Sequence, residues 1–431
     1  MELQLPRGMR DFGPAEKLLR DEVTNKLKAT FERYGFNPLE TPIIERWEIL
    51  SAKYGGGEEI LKETYKFQDQ GERDLGLRYD LTTPLARYVA MNPSVKKPFK
   101  RYHIGTVYRD GPLKKGRYRE FYQCDVDTIG TNSMLADAEC VSIALDFFEQ
   151  IGLEVEVRVN NRKLLVDMAK LFLDAEDEQQ ALAFILSLDK LEKIGPDGVI
   201  KELKEKGFTQ DLSKVLELFD VSGDNSSILD SLKKAIPDEH DSGWSQELSD
   251  VFTYIGNDPR VRFLPSLARG LGYYTGTIFE VFMVDGSFHG ALAAGGRYDN
   301  LIGDFLESKE DFPGVGISFG LEPTIEMLKD KQGEENLKKS TVQVYLVPIQ
   351  TTEACVGFAR QLRAAGVHTD MDLMARGPSA NFKYANAYGI PYVMVVGPDE
   401  LEAGLVNLKD MVSGDQEQVS FEAALEKLSN L

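Results

Sequence analysis

The chain has 431 residues, of which 42% are apolar and 28% are charged, a composition typical of globular proteins that excludes disorder over most of its length. No run approaches the ~18 apolar residues of a membrane span, and the N-terminal residues lack the features of a secretory signal. The formal net charge of −20 argues against sequence-independent binding of nucleic acid, which depends on neutralising phosphates. At about 150 residues per domain, the length suggests about three domains.

Cysteines and histidines are too scattered to predict a disulfide framework or a zinc site. The three cysteines are Cys124, Cys140 and Cys355. The four histidines form no pair at i, i+4 that could ligate a metal, so we expect no metal site built from a protein cluster. A reducing cytoplasm is the expected compartment.

The local charge between Lys96 and Arg119 is opposite to that of the whole chain. This window holds nine basic residues and one acidic residue, Asp110. Such a window indicates an anionic ligand handled at one place, or else a solvated basic hairpin, and composition leaves both open.

The first part of the chain predicts an antiparallel sheet with flanking helices. Leu19, Val23, Leu27 and Phe31 are spaced by four, as on one face of a helix. The predicted elements, in chain order, are a helix over Pro14–Tyr34, a strand within residues 36–45, short strands over Lys66–Asp69 and Leu75–Tyr79, a helix opening at Asp80, a hairpin of Lys100–Tyr108 and Phe121–Ile129, a helix over Ser133–Gly152 and a strand from Glu154.

Residues 163–250 are rich in leucine, lysine and glutamate at helical spacing and predict a helical insertion. Strand-like, glycine-rich sequence follows from Val261. Residues 330–340 are polar and predict a linker. Beyond it, strands and helices alternate, as in a small α/β domain.

Common nucleotide-binding motifs are missing from the sequence. There is no Walker A motif, and no GxGxxG follows a strand. His103-Ile-Gly-Thr106 superficially matches the HIGH signature of class I aminoacyl-tRNA synthetases, but no KMSKS partner follows, so we treat this match as coincidence.

Six ordered segments carry a specific resemblance. Lys100–Asp127 resembles motif 2 of class II synthetases in its histidyl form, and Ala268–Glu280 (ARGLGYYTGTIFE) resembles the histidine-specific signature RGLDYYTGTVFE. The other matching segments are Leu77–Tyr88, Ala293–Leu301, Gly314–Glu322 at the start of motif 3, and the tail GIPYVMVVGPDELEAGLVNLKDM. PRGMRDFGP at the N-terminus and TPIIE, in the place of motif 1, also fit. The sequence therefore resembles the histidyl-tRNA synthetase family along nearly its whole length.

This resemblance implies an α+β fold with a class II synthetase antiparallel sheet, flanking helices and a helical insertion, followed by a C-terminal α/β anticodon-binding domain. The implied boundaries are 1–329 for the catalytic domain, 330–340 for the linker and 341–431 for the anticodon-binding domain. The implied reaction activates L-histidine with ATP and transfers it to tRNA(His), with Mg²⁺ bound mainly through the ATP phosphates. The family also implies a homodimer in the cytoplasm.

The resemblance assigns roles to individual residues. Arg109 and Arg269 are the expected catalytic groups, one on each side of the α-phosphate, and two such arginines would repel each other without an anion between them. The expected histidine-binding residues are Asp80, Thr82, Arg109, Gln123, Asp127, Arg269, Tyr273 and Tyr274. The expected ATP-binding residues are Arg109, Arg117, Tyr118 and Arg269, and the expected tRNA-binding residues are Lys114, Lys115 and Arg117.

Each assignment has a simpler structural alternative. Arg109 could be a surface arginine of the hairpin, and Arg269 could form an ordinary salt bridge. Tyr273 and Tyr274 could pack in the core, and Asp80 could cap a helix. Gly295-Gly296 could let backbone approach a ligand or could form a β-bulge.

Two positions depart from the family pattern. Pro323 stands where motif 3 normally carries an arginine, and Gly272 stands where the signature carries an aspartate. These departures fit a divergent active enzyme, or a paralogue that keeps the fold without the chemistry. Such a paralogue would be a regulatory subunit of histidine biosynthesis or a sensor of uncharged tRNA. The regulatory subunit lacks an anticodon-binding domain, so residues 341–431 count against it.

Overall fold

The computed structural model describes residues 3–52, 57–114, 116–210, 213–219, 221–269, 272–305 and 312–430. The chain divides into two compact units, of which the first comprises Met1–Arg10 with Glu22–Lys331 and the second comprises Asp11–Asp21 with Gln332–Leu431. No helix within the described ranges is long and apolar enough to cross a membrane.

The described strands of the first unit form one large and one small sheet. They are β1 Asn37–Pro38, β2 Ile44–Arg46, β3 Lys66–Gln68, β4 Asp74–Leu77, β5 Phe99–Tyr108, β6 Glu120–Ile129, β7 Val155–Asn161, β8 Val261–Phe263, β9 Thr277–Met283, β10 Ala293–Arg297 and β11 Gly314–Gly320. The large sheet has the order β1-β5-β6-β11-β10-β9-β7-β8, and the small sheet has the order β2-β4-β3. In the large sheet the outer pairs β1–β5 and β7–β8 are parallel, and the pairs between them are antiparallel.

The single strand predicted within residues 36–45 is wrong. Asn37–Pro38 joins the large sheet, whereas Ile44–Arg46 joins the small sheet. Pro38 and Pro42 have no N–H to donate, so a continuous ladder cannot form here. The predicted hairpin is confirmed, because β5 and β6 pair from Phe99 opposite Ile129 to Tyr108 opposite Glu120.

Helices flank the sheets of the first unit. They are α1 Pro14–Arg33, which crosses into the second unit, α2 Trp47–Leu50, α3 Gly57–Lys62, α4 Thr82–Met91, α5 Met134–Gln150, α6 Arg162–Leu173, α7 Glu178–Leu188, α8 Leu191–Glu205, α9 Ser213–Phe219, α10 Asn225–Ala235, α11 Trp244–Tyr254, α12 Leu301–Phe305 and α13 Leu321–Gln332. The stretch between β7 and β8 is thus helical in its described residues. Helix α8 is kinked at Gly195, where φ is 69°, and Gly223, with a φ of 146°, lies between α9 and α10.

The two faces of the large sheet differ in chemistry because side chains alternate along each strand. One face is apolar and packs on helices, with the Phe319 ring 5.6 Å from Phe31 of α1 and 5.4 Å from Phe147 of α5. Polar residues, including Arg101 and Asp127, alternate with the apolar ones along the central strands and are buried on the other face. This alternation places the functional residues on one side of the sheet.

The second unit is a smaller α/β structure. Its strands are β12 Val344–Pro348, β13 Thr369–Met371, β14 Tyr392–Val396, β15 Leu405–Asp410 and β16 Gln416–Ser420, in the order β13-β12-β14-β15-β16. Its helices are α14 Thr352–Ala364, α15 Pro378–Ala387, α16 Pro398–Ala403 and α17 Phe421–Ser429. The predicted alternation of strands and helices matches β12, β13 and β14, which pair in parallel. The antiparallel strands β15 and β16 were not predicted from the sequence.

Candidate active site

A cavity of about 240 Å³ opens on the polar face of the large sheet. Its lining includes all eight side chains of the expected histidine-binding set, contributed by residues around the start of α4, the β5–β6 hairpin and the segment before β9. They are Asp80, Thr82, Arg109, Gln123, Asp127, Arg269, Tyr273 and Tyr274. Residues far apart in the sequence thus converge on one site.

Glycines on the central strands leave room for side chains that line the cavity. A Cβ on Gly316 would overlap the Asp127 carboxylate, and one on Gly296 would lie 2.9 Å from the ring of Tyr274. The β-bulge considered for Gly295-Gly296 is wrong, because both residues pair in unbroken register with β9 and β11. These glycines therefore serve close packing beside the site.

Asp80 both bonds to the first turn of helix α4 and lines the cavity. Its Oδ1 accepts a hydrogen bond from the Thr83 backbone N–H at 3.0 Å, and its Oδ2 accepts one from the Thr83 hydroxyl at 3.2 Å. Burial raises the pKa of Asp80 to about 6, against the effects of Thr83 and of the nearby Arg109. The two interpretations of Asp80 in the sequence are thus compatible.

Local contacts orient both expected catalytic arginines. Arg109 donates through Nε to the Tyr79 carbonyl at 2.9 Å, and its guanidinium lies 5.2 Å from the centre of the Phe121 ring. Arg269 lines the cavity and forms an ion pair with Glu280. The salt bridge considered for Arg269 therefore exists, and the charge of this arginine has a carboxylate partner in the protein itself.

Asp127 lies in a buried network that the sequence analysis did not predict. Its Oδ2 is 2.7 Å from Arg101 Nη2, and its Oδ1 accepts a hydrogen bond from the Tyr298 hydroxyl. Burial raises the pKa of Asp127, and both partners oppose that rise. The hairpin register could have suggested Arg101, because it places this residue opposite Asp127.

Three further polar residues near the site were missed. Asp125 and Ser318 line the cavity. His103 is buried on β5 opposite Asp125, and burial together with Arg101 lowers the pKa of its imidazole to about 3, so this side chain is neutral.

Comparisons with known proteins identify the family of this chain. The model of the family described as histidyl-tRNA synthetase matches residues 8–324, and the model of the anticodon binding domain matches residues 343–431. The chain belongs to the histidyl-tRNA synthetase family. "Histidine--tRNA ligase 1" of Bacillus anthracis is 43% identical, with all of both chains covered, and its namesake in Bacillus cereus is 41% identical, with 100% of this chain and 98% of that protein covered.

The family assignment extends to the fold. The crystal structure of histidyl-tRNA synthetase from Nostoc sp. PCC 7120 superposes with a TM-score of 0.88 and 32% identity, covering 100% of this chain and 99% of that one. The large antiparallel sheet, its flanking helices and the separate C-terminal α/β unit are those of a class II synthetase. The fold predicted from the sequence is thus confirmed.

The expected ATP and tRNA residues of the hairpin loop are not among the residues that line the cavity. Lys114 and Arg117 exchange backbone hydrogen bonds of 3.2 and 2.9 Å across a tight turn. Arg117 lies 3.6 Å from Glu63, and the Arg10 guanidinium lies 3.4 Å above the Tyr118 ring. Lys115 lies outside the described residues.

The basic window does not form one surface. Arg109 lines the cavity and Arg101 is buried against Asp127, while Lys100 pairs with Glu139 at 2.7 Å. Arg119 pairs with the single acid of the window, Asp110, at 2.9 Å. The basic residues of this window therefore lie in several different environments. The window is neither a single anion-binding site nor a wholly solvated hairpin.

The two departures from the family pattern have different surroundings. Pro323 is buried in the first turn of α13. Gly272 is exposed, and a Cβ built on it would meet nothing within 4 Å, so the site imposes no steric need for glycine there.

Proposed function

We propose that this protein is a histidine–tRNA ligase that activates L-histidine with ATP and transfers it to the 3′ end of tRNA(His). One observation carries the proposal: the eight side chains expected to bind histidine line a single cavity. Relatives that cover the whole chain carry the name histidine–tRNA ligase, which favours this function over a regulatory subunit or an uncharged-tRNA sensor.

Activation of histidine by ATP requires the stabilisation of negative charge. The histidine carboxylate attacks the α-phosphorus of ATP and displaces pyrophosphate, and no general base is needed because the nucleophile is already ionised. Negative charge builds on the phosphoryl oxygens, where guanidinium groups held in place beforehand stabilise it. Arg109 and Arg269 line the cavity with their orientation fixed by Tyr79 and Glu280, which suits them to this role.

Recognition of histidine requires partners for an ammonium and two ring nitrogens. We assign the ammonium to Asp80 and Thr82, with Gln123 near the amine and the carboxylate. Asp127 and Tyr274 address the ring nitrogens, and Tyr273 lines the pocket. A site that pairs both nitrogens rejects apolar amino acids, because they would leave its buried polar groups without partners.

ATP is the second substrate, and we assign Arg109, Arg269, Arg117 and Tyr118 to it. No group of three or more His, Cys, Asp or Glu side chains in the described part of the chain is arranged to hold a metal ion. We assign Mg²⁺ to the phosphates of ATP, with which it would enter as part of the substrate.

Binding of tRNA would involve both units. We assign the acceptor end to the β5–β6 loop through Lys114, Lys115 and Arg117. The C-terminal domain, which we place at 341–431 after a linker at 330–340, would read the anticodon by stacking and base-edge contacts. Helix α13 extends to Gln332, so the linker would begin within its last turn. The catalytic domain would then comprise residues 1–329.

We further propose a homodimer acting in the cytoplasm, where tRNA is charged for translation. Two aliphatic side chains of the motif 1 segment support an interface: Ile43 and Ile44 are 42% and 48% exposed, and Ile44 begins an edge strand of the small sheet. Sedimentation equilibrium of the wild type and of Ile44→Glu would test the dimer, and a monomeric wild type would refute it.

The direct test of the proposed function is aminoacylation. The purified protein should attach labelled L-histidine to tRNA(His) in the presence of ATP and Mg²⁺, and it should not charge tRNA of other specificities. A protein that binds tRNA(His) but never charges it would support the sensor alternative instead.

A further inference from the structure

Asp125 is a cavity carboxylate that the family resemblance does not assign. It lies on β6 between Gln123 and Asp127, with one residue separating it from each, so the three side chains share a face of the sheet. All three line the cavity, and Asp125 is only 3% exposed. Its carboxylate is therefore within the pocket that we assign to histidine.

The carboxylate of Asp125 is incompletely hydrogen-bonded. Ser318, directly opposite on β11, bonds to it. Its Oδ1 is buried and has no hydrogen-bond partner in the described part of the chain, and the same holds for Oε1 of the neighbouring Gln123. Buried acceptors are almost always hydrogen-bonded. Two such acceptors facing one cavity fit a ligand group that carries several N–H donors.

The charge balance of the cavity also indicates a cationic group. Of the charged residues that line the cavity, Asp127 is paired with Arg101, and Arg269 is paired with Glu280. Of the remaining charged lining residues, Arg109 suits the carboxylate of an amino acid, whereas Asp80 and Asp125 carry like charge. Burial raises the pKa of Asp125 most strongly, Arg101 and Ser318 lower it, and Asp127 and Asp80 raise it further. A cationic ligand beside Asp125 would favour its charged form.

We propose that Asp125 is a second ammonium-binding carboxylate, accepting an N–H of the substrate α-ammonium beside Gln123 and complementing Asp80. This inference rests on the proposed function, because it takes histidine as the ligand. Asp125 would raise specificity for α-amino acids, since a ligand without the ammonium gives the buried carboxylates of Asp80 and Asp125 no N–H donor of its own.

The test compares three ligands on the full chain. L-Histidine has all three recognition groups, L-histidinol lacks the carboxylate, and imidazolepropionate lacks the ammonium. Asp125→Asn keeps the shape and the bond to Ser318 but removes the charge. Calorimetry should show that this variant binds histidine and histidinol at least tenfold more weakly, while its affinity for imidazolepropionate changes less than threefold. Asp125→Ser should give the same pattern and serves as a second variant if the first fails to fold.

Asp167→Asn is the matched control, because Asp167 is also buried but lies in α6 and bonds to Ser242. It should leave all three affinities unchanged. Equal weakening of all three ligands by Asp125→Asn would overturn the proposal and assign Asp125 to the imidazole or to the sheet. Unchanged affinities would overturn it in favour of a purely structural role. A wild type that fails to bind histidine would instead refute the proposed function itself.

Discussion

Arg101 Nη2 lies 2.7 Å from Asp127 Oδ2 beneath the candidate histidine pocket, with side-chain exposures of 1% and 5%. The other carboxylate oxygen of Asp127, Oδ1, accepts a hydrogen bond from the Tyr298 hydroxyl. A buried guanidinium thus favours the charged form of an acceptor, against the effect of burial, where a substrate N–H is expected. The specificity of the pocket therefore depends on a residue that is not in the predicted binding set.

Removing Arg101 should damage both stability and histidine binding. Arg101→Leu leaves a buried carboxylate without its counter-charge, which should cost about 3–5 kcal/mol and raise KM for histidine. The double variant Arg101→Leu/Asp127→Leu should recover much of the stability without recovering histidine activation. Urea unfolding followed by tryptophan fluorescence measures this in the first unit, to which both tryptophans, Trp47 and Trp244, belong. Equal stability of Arg101→Leu and the wild type would contradict the account.

Loss of either catalytic arginine should slow activation far more than loss of another arginine. Arg109→Ala or Arg269→Ala removes one preorganised guanidinium, for which about 10²–10³-fold in rate is expected. Arg262→Ala is the control, because this side chain is 65% exposed and pairs with Glu156 on the outer strands. Pre-steady-state formation of the adenylate is the measurement. A rate for Arg269→Ala within a few-fold of wild type would remove Arg269 from the catalytic role.

We expect the Asp80 carboxylate, which is assigned to substrate binding, to lower the stability of the ligand-free protein. Its pKa of about 6 lies above the ordinary 3.8, so the folded state holds its proton more tightly than the unfolded state does. This carboxylate therefore lowers stability as pH rises from about 4 to 6. Asp80→Asn should stabilise the ligand-free protein by about 3 kcal/mol at pH 7, and this gain should shrink as pH falls toward 4. The same variant should lose histidine activation.

Urea unfolding of both proteins between pH 4 and pH 7 tests this prediction, with Asp167→Asn as a control because its carboxylate is also buried, outside the cavity. A gain that stayed constant over this range would assign the effect to packing or capping. A destabilised Asp80→Asn at pH 7 would contradict the prediction outright.

Neutralising the loop lysines should separate the two steps of the reaction. Lys114→Ala/Lys115→Ala should weaken aminoacylation and leave ATP–pyrophosphate exchange nearly intact. If each lysine meets one phosphate, the salt slope of tRNA binding should fall by about two at most. Filter binding over a range of salt concentrations measures the slope. Equal loss of exchange and charging would assign the loop to ATP or to folding.

Sequence patterns predicted the elements whose signals are local. Helix α1 follows from Leu19, Val23, Leu27 and Phe31, which are buried, and the hairpin follows from two β-rich runs around a polar loop. The short strands around Pro38 and Pro42 were mispredicted, because their pairing depends on partners distant in the sequence. Strands β15 and β16 were not predicted from the sequence, and polar residues make up much of β16.

The family resemblance predicted the expected site residues, but it did not predict the buried polar residues next to them. Arg101, His103 and Asp125 differ in no local way from other polar residues on a strand. Their importance arises from register, which places Arg101 opposite Asp127 and His103 opposite Asp125. Such relationships become visible only when strands are paired, because burial and counter-charge are properties of the folded chain.

Histidine-dependent ATP–pyrophosphate exchange by the purified wild type tests the central claim most directly, since it requires the cavity, both arginines and ATP but no tRNA. The account predicts exchange with L-histidine at least 10³-fold above that with any other standard amino acid, despite Pro323 in place of the motif 3 arginine. An absence of histidine-dependent exchange from a folded protein that still binds tRNA(His) would contradict it.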